Sequence, residues 1–295
     1  MKIGVFGIGA IGSILSKYLY RIEEFELYFY NRTKHKSIKV KYDQKEDEVH
    51  LNLSKELNGE LNWLIICLKE HQFQEAENDI KELIGGQTKL AIFQNGINIS
   101  SPYKELTNKN HILETIIDCP TERIDKRIFK QIKNPRIVLP NSEIANKFIK
   151  LFSDTEIEFE QVQNFRKSQW VKIIESSSIG SIQSVTGRTC SVFDKDQYLN
   201  DYKTLIQEGV EVAQSESINL GIEFQNELLI SLAKYPKSKG SSMLTDKMNQ
   251  KPLELGAKIG AIVNTAKRNK IHVPLSERYY KSLLNYNKET TPNKR

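Results

Sequence analysis

The sequence predicts an α/β domain followed by an all-helical domain. In the first half of the 295 residues, short apolar runs alternate with helical patterns, as in "NWLIICLK" (62–69) followed by "HQFQEAENDIKELI" (71–84). From about Asn164 onward, long helical patterns dominate instead. We therefore expect a parallel sheet with crossover helices over residues 1–163 and a separate helical domain over residues 164–295.

The individual elements follow from the same periodicities. A strand over 2–7 leads into a helix that begins at Ala10. The further strands expected in the first half are 25–33, an antiparallel pair 37–43 and 47–53, then 62–69 and 88–96, with strand-like pieces and a helix near 142–153 over 111–161. The helices expected in the second half are 165–185, 197–219, 222–234, 252–270 and 275–287, with "YPKSKGSS" (235–242) as a polar linker.

The opening "MKIGVFGIGAIGSIL" contains the spacing G-x-G-x-x-G between the first strand and the first helix. Gly7 permits a sharp turn, Gly9 permits the backbone to approach a pyrophosphate, and Gly12 permits close packing of helix on strand. The helix N-terminus adds N–H groups and the positive end of its dipole. The alternative is a plain tight turn. The position of the motif favours a Rossmann-type dinucleotide-binding domain, whose cofactor-binding turn comprises Gly7, Ile8, Gly9, Ala10, Ile11 and Gly12.

Residues that follow the other strands complete this prediction, because ligands collect at the carboxyl ends of parallel strands. After the second strand, Asn31 and Arg32 stand where an NAD-preferring site usually has an acidic residue, and such donors suit a 2′-phosphate. NADP(H) is therefore favoured over NAD, although a basic turn without a ligand stays open. Lys69 and Asn95 follow two further buried strands, and we expect both to face the same crevice.

Composition limits the classes of function. The net charge of +6 is spread among acidic residues rather than clustered, which argues against a nucleic-acid partner. The sequence has no apolar run of about 18 residues and no signal-peptide pattern, so no membrane association is expected. Cys67, Cys119 and Cys190 lack metal-type spacing and suit a reducing compartment. We expect a cytoplasmic enzyme without a metal.

Several motifs together resemble the ketopantoate reductase (2-dehydropantoate 2-reductase) family. They are G-x-G-A-x-G at the start, "LKEHQ", "QNG", W-x-K within "WVKIIESSSIGS" (170–181), and S-S-M-L-x-D followed by P-x-E within 241–263. The resemblance covers nearly the whole chain, and the "SSMLTD…PLE" segment is its most distinctive part. It implies NADPH-dependent reduction of a small-molecule 2-keto acid, with a lysine as general acid.

The resemblance also implies roles for individual residues. Lys172 matches the general acid, whose ammonium stabilises and protonates the alkoxide that forms when hydride reaches a carbonyl carbon. Glu254 matches an acidic residue that contacts the substrate hydroxyl and orients the site. Ser242 matches a serine that binds the substrate carboxylate. Lys69 and Asn95 match residues near the nicotinamide and the substrate. The implied substrate-binding set is Asn95, Ser176 and Ser242, and the cofactor set includes Asn95 and Glu254 as well.

Four departures from the family pattern affect the substrate site. Ser176 and Gly180 stand where the family has asparagines on the lysine-bearing helix, and both offer fewer hydrogen bonds. Around Glu254 the pattern E-x-D-A-x-N-G reads "ELGAKIG", with Gly256 and Lys258 as departures. Because Lys258 is four residues after Glu254, we expect the two to pair along a helix.

Three functions are consistent with these residues. The first is a true ketopantoate reductase with a relaxed site. The second is a related 2-keto acid reductase whose pocket, widened at Ser176 and Gly180, accepts another acid. The third is an NADP(H)-binding protein that has lost catalytic fitness, against which the joint presence of Lys172, Ser242 and Glu254 argues. A homodimer is left open by the sequence.

Overall fold

The computed structural model describes residues 1–31, 35–51 and 59–290, and the chain divides into two compact units. The N-terminal unit consists of Met1–Gln94 and Asn98–Phe165. The helical unit consists of Asn95–Ile97 and Arg166–Arg295. Each unit has hydrophobic clusters of its own, which for the N-terminal unit include Ile3, Val5 and Ile65 and for the helical unit Trp170 and Ile174.

The N-terminal unit is built on a parallel sheet. Its strands are β1 (Lys2–Phe6), β2 (Glu26–Tyr30), β3 (Ser37–Tyr42), β4 (Lys45–His50), β5 (Trp63–Ile66), β6 (Lys89–Ile92), β7 (Ile112–Glu114), β8 (Ile116–Asp118), β9 (Thr121–Arg123), β10 (Ile128–Gln131), β11 (Arg136–Pro140) and β12 (Glu158–Val162). The order β2-β1-β5-β6-β7, with every neighbouring pair parallel, forms the main sheet. All residues of β5 are buried, as expected for a strand covered on both faces.

The helices of this unit are α1 (Ala10–Tyr20), α2 (Phe73–Leu83) and α3 (Glu143–Ile149). Helix α1 follows β1 directly and buries Ile14, Leu15 and Leu19. The predicted α/β class is therefore confirmed for the first half of the chain.

Two smaller sheets complete the N-terminal unit. In the order β4-β3-β10-β9, the β3–β4 pair is antiparallel from Ser37 opposite His50 to Tyr42 opposite Lys45, as the sequence predicts. Residues 52 and 53 of the predicted second strand lie outside the described residues. The order β12-β11-β8 forms the other small sheet. The parallel pairing of β3 with β10 joins segments distant in sequence, which strand periodicity does not reveal.

The second half is helical, as predicted. Its helices are α4 (Phe165–Thr186), α5 (Asp196–Ser215), α6 (Phe224–Ala233), α7 (Ser242–Met248), α8 (Ile259–Asn269) and α9 (Pro274–Thr290). Helix α4 is buried at every position from Ser177 to Ser184, because small side chains let its neighbours approach closely on all faces. No helix in the described part of the chain is long and apolar enough to cross a membrane.

The predicted helix over 252–270 is wrong in its first part. Helix α8 begins at Ile259, and the residues before it form turns. Pro252 and Gly256 both disfavour helix there. The turn closes through a hydrogen bond of 2.7 Å from the Gly260 amide to the Leu255 carbonyl, and a Cβ at Gly260 would lie 2.6 Å from that oxygen. Helix α7, just before this segment, is not predicted by periodicity.

Candidate functional site

The turn between β1 and α1 has the geometry that the three glycines suggest. Gly7 adopts a φ of 95°, and its amide donates to the Tyr30 carbonyl at 2.9 Å. A Cβ at Gly7 would lie 2.9 Å from the Cys67 carbonyl oxygen. A Cβ at Gly12 would lie 2.0 Å from the Gly7 carbonyl oxygen, so the helix touches the turn there. Gly7 and Gly12 are therefore required by the turn itself.

Gly9 differs from the other two glycines because a Cβ there would meet nothing within 4 Å. It is the N-cap residue of α1, which carries no side-chain cap and no acidic residue in its first turn. Gly9 is exposed, whereas the side chain of Ile8 packs into the core. Ile8 can therefore offer a ligand only its main-chain atoms. An exposed helix N-terminus with open space beside a glycine fits the pyrophosphate of a dinucleotide.

The other residues predicted for the cofactor lie after neighbouring strands of the same sheet. Asn31 follows β2 and is half-buried, and Arg32 lies outside the described residues. Lys69 follows β5 and is half-buried, and its amide donates to Gln72 Oε1 at 3.0 Å, which fixes the start of the following helical turn. The structure thus brings the glycine turn, Asn31 and Lys69 into one unit. The thiol of Cys67, behind the turn, has its pKa raised by burial and stays protonated.

The helical unit contains the other predicted residues. Lys172 and Ser176 are both half-buried on α4, one helical turn apart and hence on the same face. Trp170, which precedes Lys172 in the W-x-K motif, is fully buried and anchors this part of α4 in the core. The motif therefore combines one fully buried tryptophan with one half-buried lysine.

Asn95 and Glu254 meet within the helical unit. The short segment Asn95–Ile97 follows β6 in sequence but groups with the helices by its contacts. Its first residue donates from Nδ2 to Glu254 Oε2 at 3.5 Å, and Glu254 is only 8% exposed. Two residues from different sequence motifs are thus brought together, and an amide donor orients one oxygen of a buried carboxylate.

The expected helical pairing of Glu254 with Lys258 is wrong in its premise, because the helix starts only at Ile259. Lys258 is 3% exposed, and its Nζ donates to Ser176 Oγ at 3.1 Å instead. The ammonium therefore lies beside the α4 face that carries Lys172. Spacing alone could not show this, because Lys258 and Ser176 are far apart in sequence and their contact depends on the packing of α8 against α4.

The space beside Gly180 is filled. A Cβ at Gly180 would lie 2.9 Å from Sδ of Met243, which is buried at the start of α7. The expectation of a pocket widened at Ser176 and Gly180 is therefore not met: a thioether packs against the one position and an ammonium against the other. Small residues in a sequence do not reveal which neighbour takes the space they leave.

Ser242 is the first residue of α7 and is exposed, while its neighbour Ser241 is the N-cap and accepts from the Leu244 amide at 3.2 Å. Gln183 of α4 holds this segment. Its Oε1 accepts from the Ser241 amide at 2.7 Å, and its Nε2 donates to the Lys239 carbonyl at 3.0 Å. Sequence reasoning missed Gln183, although it is the one large polar residue between positions 176 and 185, where the other residues are small or apolar, and this was a signal for it.

These features define a class: a dinucleotide-binding α/β domain followed by a helical domain that carries an amide–carboxylate contact and a lysine–serine contact. The chain belongs to the ketopantoate reductase family. The family model described as "Ketopantoate reductase PanE/ApbA" matches residues 3–143, and its C-terminal counterpart matches residues 164–287. The resemblance seen in the motifs is confirmed, and the family is one of oxidoreductases.

Individual relatives agree with this assignment. A 2-dehydropantoate 2-reductase of Caulobacter vibrioides is 22% identical over 275 residues, covering 92% of this chain and 94% of that protein. One from Mycobacterium tuberculosis is 22% identical over 280 residues, covering 93% and 94%.

Two solved structures share the fold. A dimeric ketopantoate reductase from Staphylococcus aureus has a TM-score of 0.88 at 19% identity, and the match covers 99% of this chain and 100% of that one. A D-mandelate dehydrogenase with NADH and anilino(oxo)acetate has a TM-score of 0.87 at 18% identity, covering 98% and 99%. Proteins of this fold therefore include more than one substrate specificity.

Proposed function

We propose that this protein reduces a 2-keto acid with NADPH, and that the acid is 2-dehydropantoate, which is reduced to pantoate in pantothenate biosynthesis. The observation that carries the proposal is the contact of Asn95 with the buried Glu254, two residues from separate family motifs. The same helical unit holds Lys172 on α4, and the N-terminal unit has an open glycine turn. The relatives named 2-dehydropantoate 2-reductase over nearly their whole length support it.

A reduced nicotinamide cofactor held by this protein would supply the hydride that the carbonyl carbon of the acid receives. The exposed main chain around Gly9 and the N-terminus of α1 hold the pyrophosphate. Asn31 and Arg32 would bind the adenosine ribose and its 2′-phosphate, which would make NADP(H) the preferred cofactor. Lys69 is assigned to the nicotinamide end. These residues bind and orient the cofactor and take no part in proton transfer.

The helical unit provides the acid–base chemistry. The Lys172 ammonium donates a hydrogen bond to the keto oxygen, stabilises the negative charge that develops there, and gives up one proton from Nζ to form the hydroxyl. Glu254, oriented by Asn95, accepts a hydrogen bond from the new hydroxyl. Ser242, exposed at the start of α7, binds the carboxylate of the acid.

The test is the loss of reduced-nicotinamide absorbance when purified protein, NADPH and 2-dehydropantoate are mixed. We expect turnover, and we expect Lys172→Ala to lower it by at least about 100-fold while leaving NADPH affinity unchanged. Lys203→Ala, an exposed lysine on α5, is the matched control and should keep wild-type turnover. Wild-type turnover in Lys172→Ala would exclude the general-acid role. Tight NADPH binding without turnover of 2-dehydropantoate would exclude that substrate.

A related 2-keto acid reductase with another substrate is the second candidate. The buried ammonium of Lys258 beside Ser176 favours it, because this group lies directly against the helix face that carries Lys172. A panel of 2-keto acids in the same assay separates the two candidates by their kcat/KM values.

We also propose that the protein works in the cytoplasm and as a homodimer. The dimeric ketopantoate reductase of Staphylococcus aureus, which shares the fold, supports the second statement. Light scattering of the purified protein tests it, since a monomer of 34.0 kDa and a dimer differ twofold in mass.

A further inference from the structure

Lys258 brings a second cationic side chain to the face of α4 that carries Lys172. It is the N-cap residue of α8, yet its side chain reaches α4 and donates from Nζ to Ser176 Oγ at 3.1 Å. The residue is 3% exposed. An ammonium is costly to bury and is retained where oxygen atoms accept its hydrogen bonds, so this buried end of the side chain is a place where oxygen acceptors gather.

The position of Ser176 places this ammonium close to the reacting atoms. Ser176 follows Lys172 by four residues on α4, and side chains at this spacing are neighbours on one helix face, with Cβ atoms about 5–6 Å apart. If Lys172 protonates the keto oxygen, the Lys258–Ser176 pair lies one helical turn away. A 2-keto acid of a few carbon atoms can bridge that separation.

The pair is suited to an anion. An ammonium only donates hydrogen bonds, and a serine hydroxyl that accepts from it still has its own proton to donate. A substrate hydroxyl would need an acceptor for its proton, and this pair offers little acceptor capacity. A carboxylate, which only accepts when ionised, matches both groups as a hydrogen-bond acceptor.

We propose that Lys258 and Ser176 form a carboxylate-binding pair for the substrate, which makes Lys258 a residue that determines specificity. The inference rests on the proposed function, because it assigns substrate chemistry to the α4 face that carries Lys172. The carboxylate has two possible sources. It is either the group next to the keto carbon, which the pair then shares with Ser242, or a second carboxylate at the far end of a 2-oxo dicarboxylic acid.

Binding to the enzyme with oxidised cofactor separates these sources without any turnover. The probes are 2-oxovalerate, with one carboxylate, and 2-oxoglutarate, with the same chain length and a second one. Each is titrated calorimetrically into the NADP⁺ complex of the wild type, of Lys258→Met and of Lys258→Arg. The exposed Lys267 on α8 gives the matched control Lys267→Met.

We expect Lys258→Met to weaken binding by about 10- to 100-fold, the usual effect of losing a charged hydrogen bond, while Lys258→Arg restores much of it. Equal weakening of both acids assigns the pair to the carboxylate beside the keto group. Weakening of 2-oxoglutarate alone assigns it to a distal carboxylate. Affinities of both acids unchanged within about twofold in Lys258→Met, or equal weakening in Lys267→Met, would overturn the proposal.

A second variant and an activity assay separate this proposal from a folding defect and from the proposed function. Should Lys258→Met fail to fold, as judged by urea unfolding, Ser176→Ala takes its place, and the proposal then requires it to bind the acids more weakly than the wild type does. Absence of NADPH turnover with every keto acid, together with Lys258-dependent binding, would exclude the proposed function while leaving this pair in place. Turnover of a keto acid whose binding does not depend on Lys258 would support the proposed function and exclude the carboxylate-binding pair.

Discussion

The Nζ atom of Lys17 lies 2.7 Å from Oε1 of Gln131, so a buried lysine on α1 is tied to the end of β10. Lys17 is 2% exposed, and its ammonium also lies over the Tyr18 ring, 4.0 Å from the centroid. Burial, with a smaller contribution from Arg21, lowers the pKa of Lys17 to about 8 from its ordinary 10.5. This contact therefore links α1 to the small sheet that contains β10.

This contact predicts a pH-dependent stability. Between about pH 8 and about pH 10.5 the unfolded chain carries a proton on Lys17 that the folded chain has lost, so the free energy of unfolding rises with pH in this window. The full rise is about 3 kcal/mol. Lys17→Met should lack this rise, whereas exposed Lys126→Met should retain it. Urea unfolding of the three proteins across the window measures the difference, and parallel curves for all three would show that Lys17 does not titrate there.

Glu208 predicts a different kind of stability effect. Its carboxylate is buried on α5 and accepts from the amides of Leu275 at 2.9 Å and Ser276 at 2.7 Å, which are the first donors of α9. Because helix N-terminal amides have no partner within the helix, loss of this cap leaves them unsatisfied. We expect Glu208→Ala to lower the free energy of unfolding by about 2–3 kcal/mol.

Glu211→Ala is the control for this cap. Glu211 lies on the same helix, is exposed, and should change stability by no more than about 0.5 kcal/mol. Glu208→Gln keeps a hydrogen-bond acceptor, so its free energy of unfolding should lie between those of Glu208→Ala and Glu211→Ala. Equal stability of Glu208→Ala and Glu211→Ala would mean that solvent replaces the cap without loss.

Much of this architecture follows from local pattern. The main parallel sheet, α1 and the long helices are set by apolar periodicity and by glycines whose neighbours leave no room for a Cβ, as at Gly12. The wrong start of α8 arose because periodicity continues through Pro252 and Gly256, whose backbone preferences oppose a helix. Apolar periodicity favours a helix in this segment, whereas Pro252 and Gly256 favour a turn. The turn forms, and the hydrogen bond from the Gly260 amide to the Leu255 carbonyl closes it.

The candidate site was less accessible to sequence reasoning. Lys172, Asn95 and Glu254 could be proposed from motifs, and the contact between Asn95 and Glu254 places two of them together. The partners of Ser176 and Gly180 could not, because Lys258 and Met243 come from other helices and reach these positions only through packing. Departures from a motif show where a site has changed, but the residue that compensates is a property of the tertiary structure.

The glycine turn predicts opposite effects for two alanine variants. Ala at position 12 would put Cβ 2.0 Å from the Gly7 carbonyl oxygen, so Gly12→Ala should destabilise the N-terminal unit by about 3 kcal/mol. Ala at position 9 meets nothing within 4 Å, so Gly9→Ala should fold normally but bind NADPH at least about 10-fold more weakly. Unfolding curves and NADPH fluorescence titrations measure both effects. Normal NADPH affinity in Gly9→Ala would place the pyrophosphate elsewhere.

The choice between NADPH and NADH predicts a charge-specific effect at the end of β2. Arg32 is expected from the sequence to contact the 2′-phosphate, a group that NADH lacks. Arg32→Ala should therefore weaken NADPH by about 10- to 100-fold, because a charge-assisted hydrogen bond is lost, and leave NADH unchanged. Exposed Lys36→Ala, four residues further on, controls for the general loss of positive charge and should affect NADPH only slightly. Fluorescence titration of the wild type and both variants with each nucleotide gives the six affinities needed. Equal weakening of NADPH and NADH binding by Arg32→Ala would show that Arg32 does not contact the 2′-phosphate. If Lys36→Ala weakened NADPH binding as much as Arg32→Ala does, Arg32 would act only through long-range attraction, which added salt would screen.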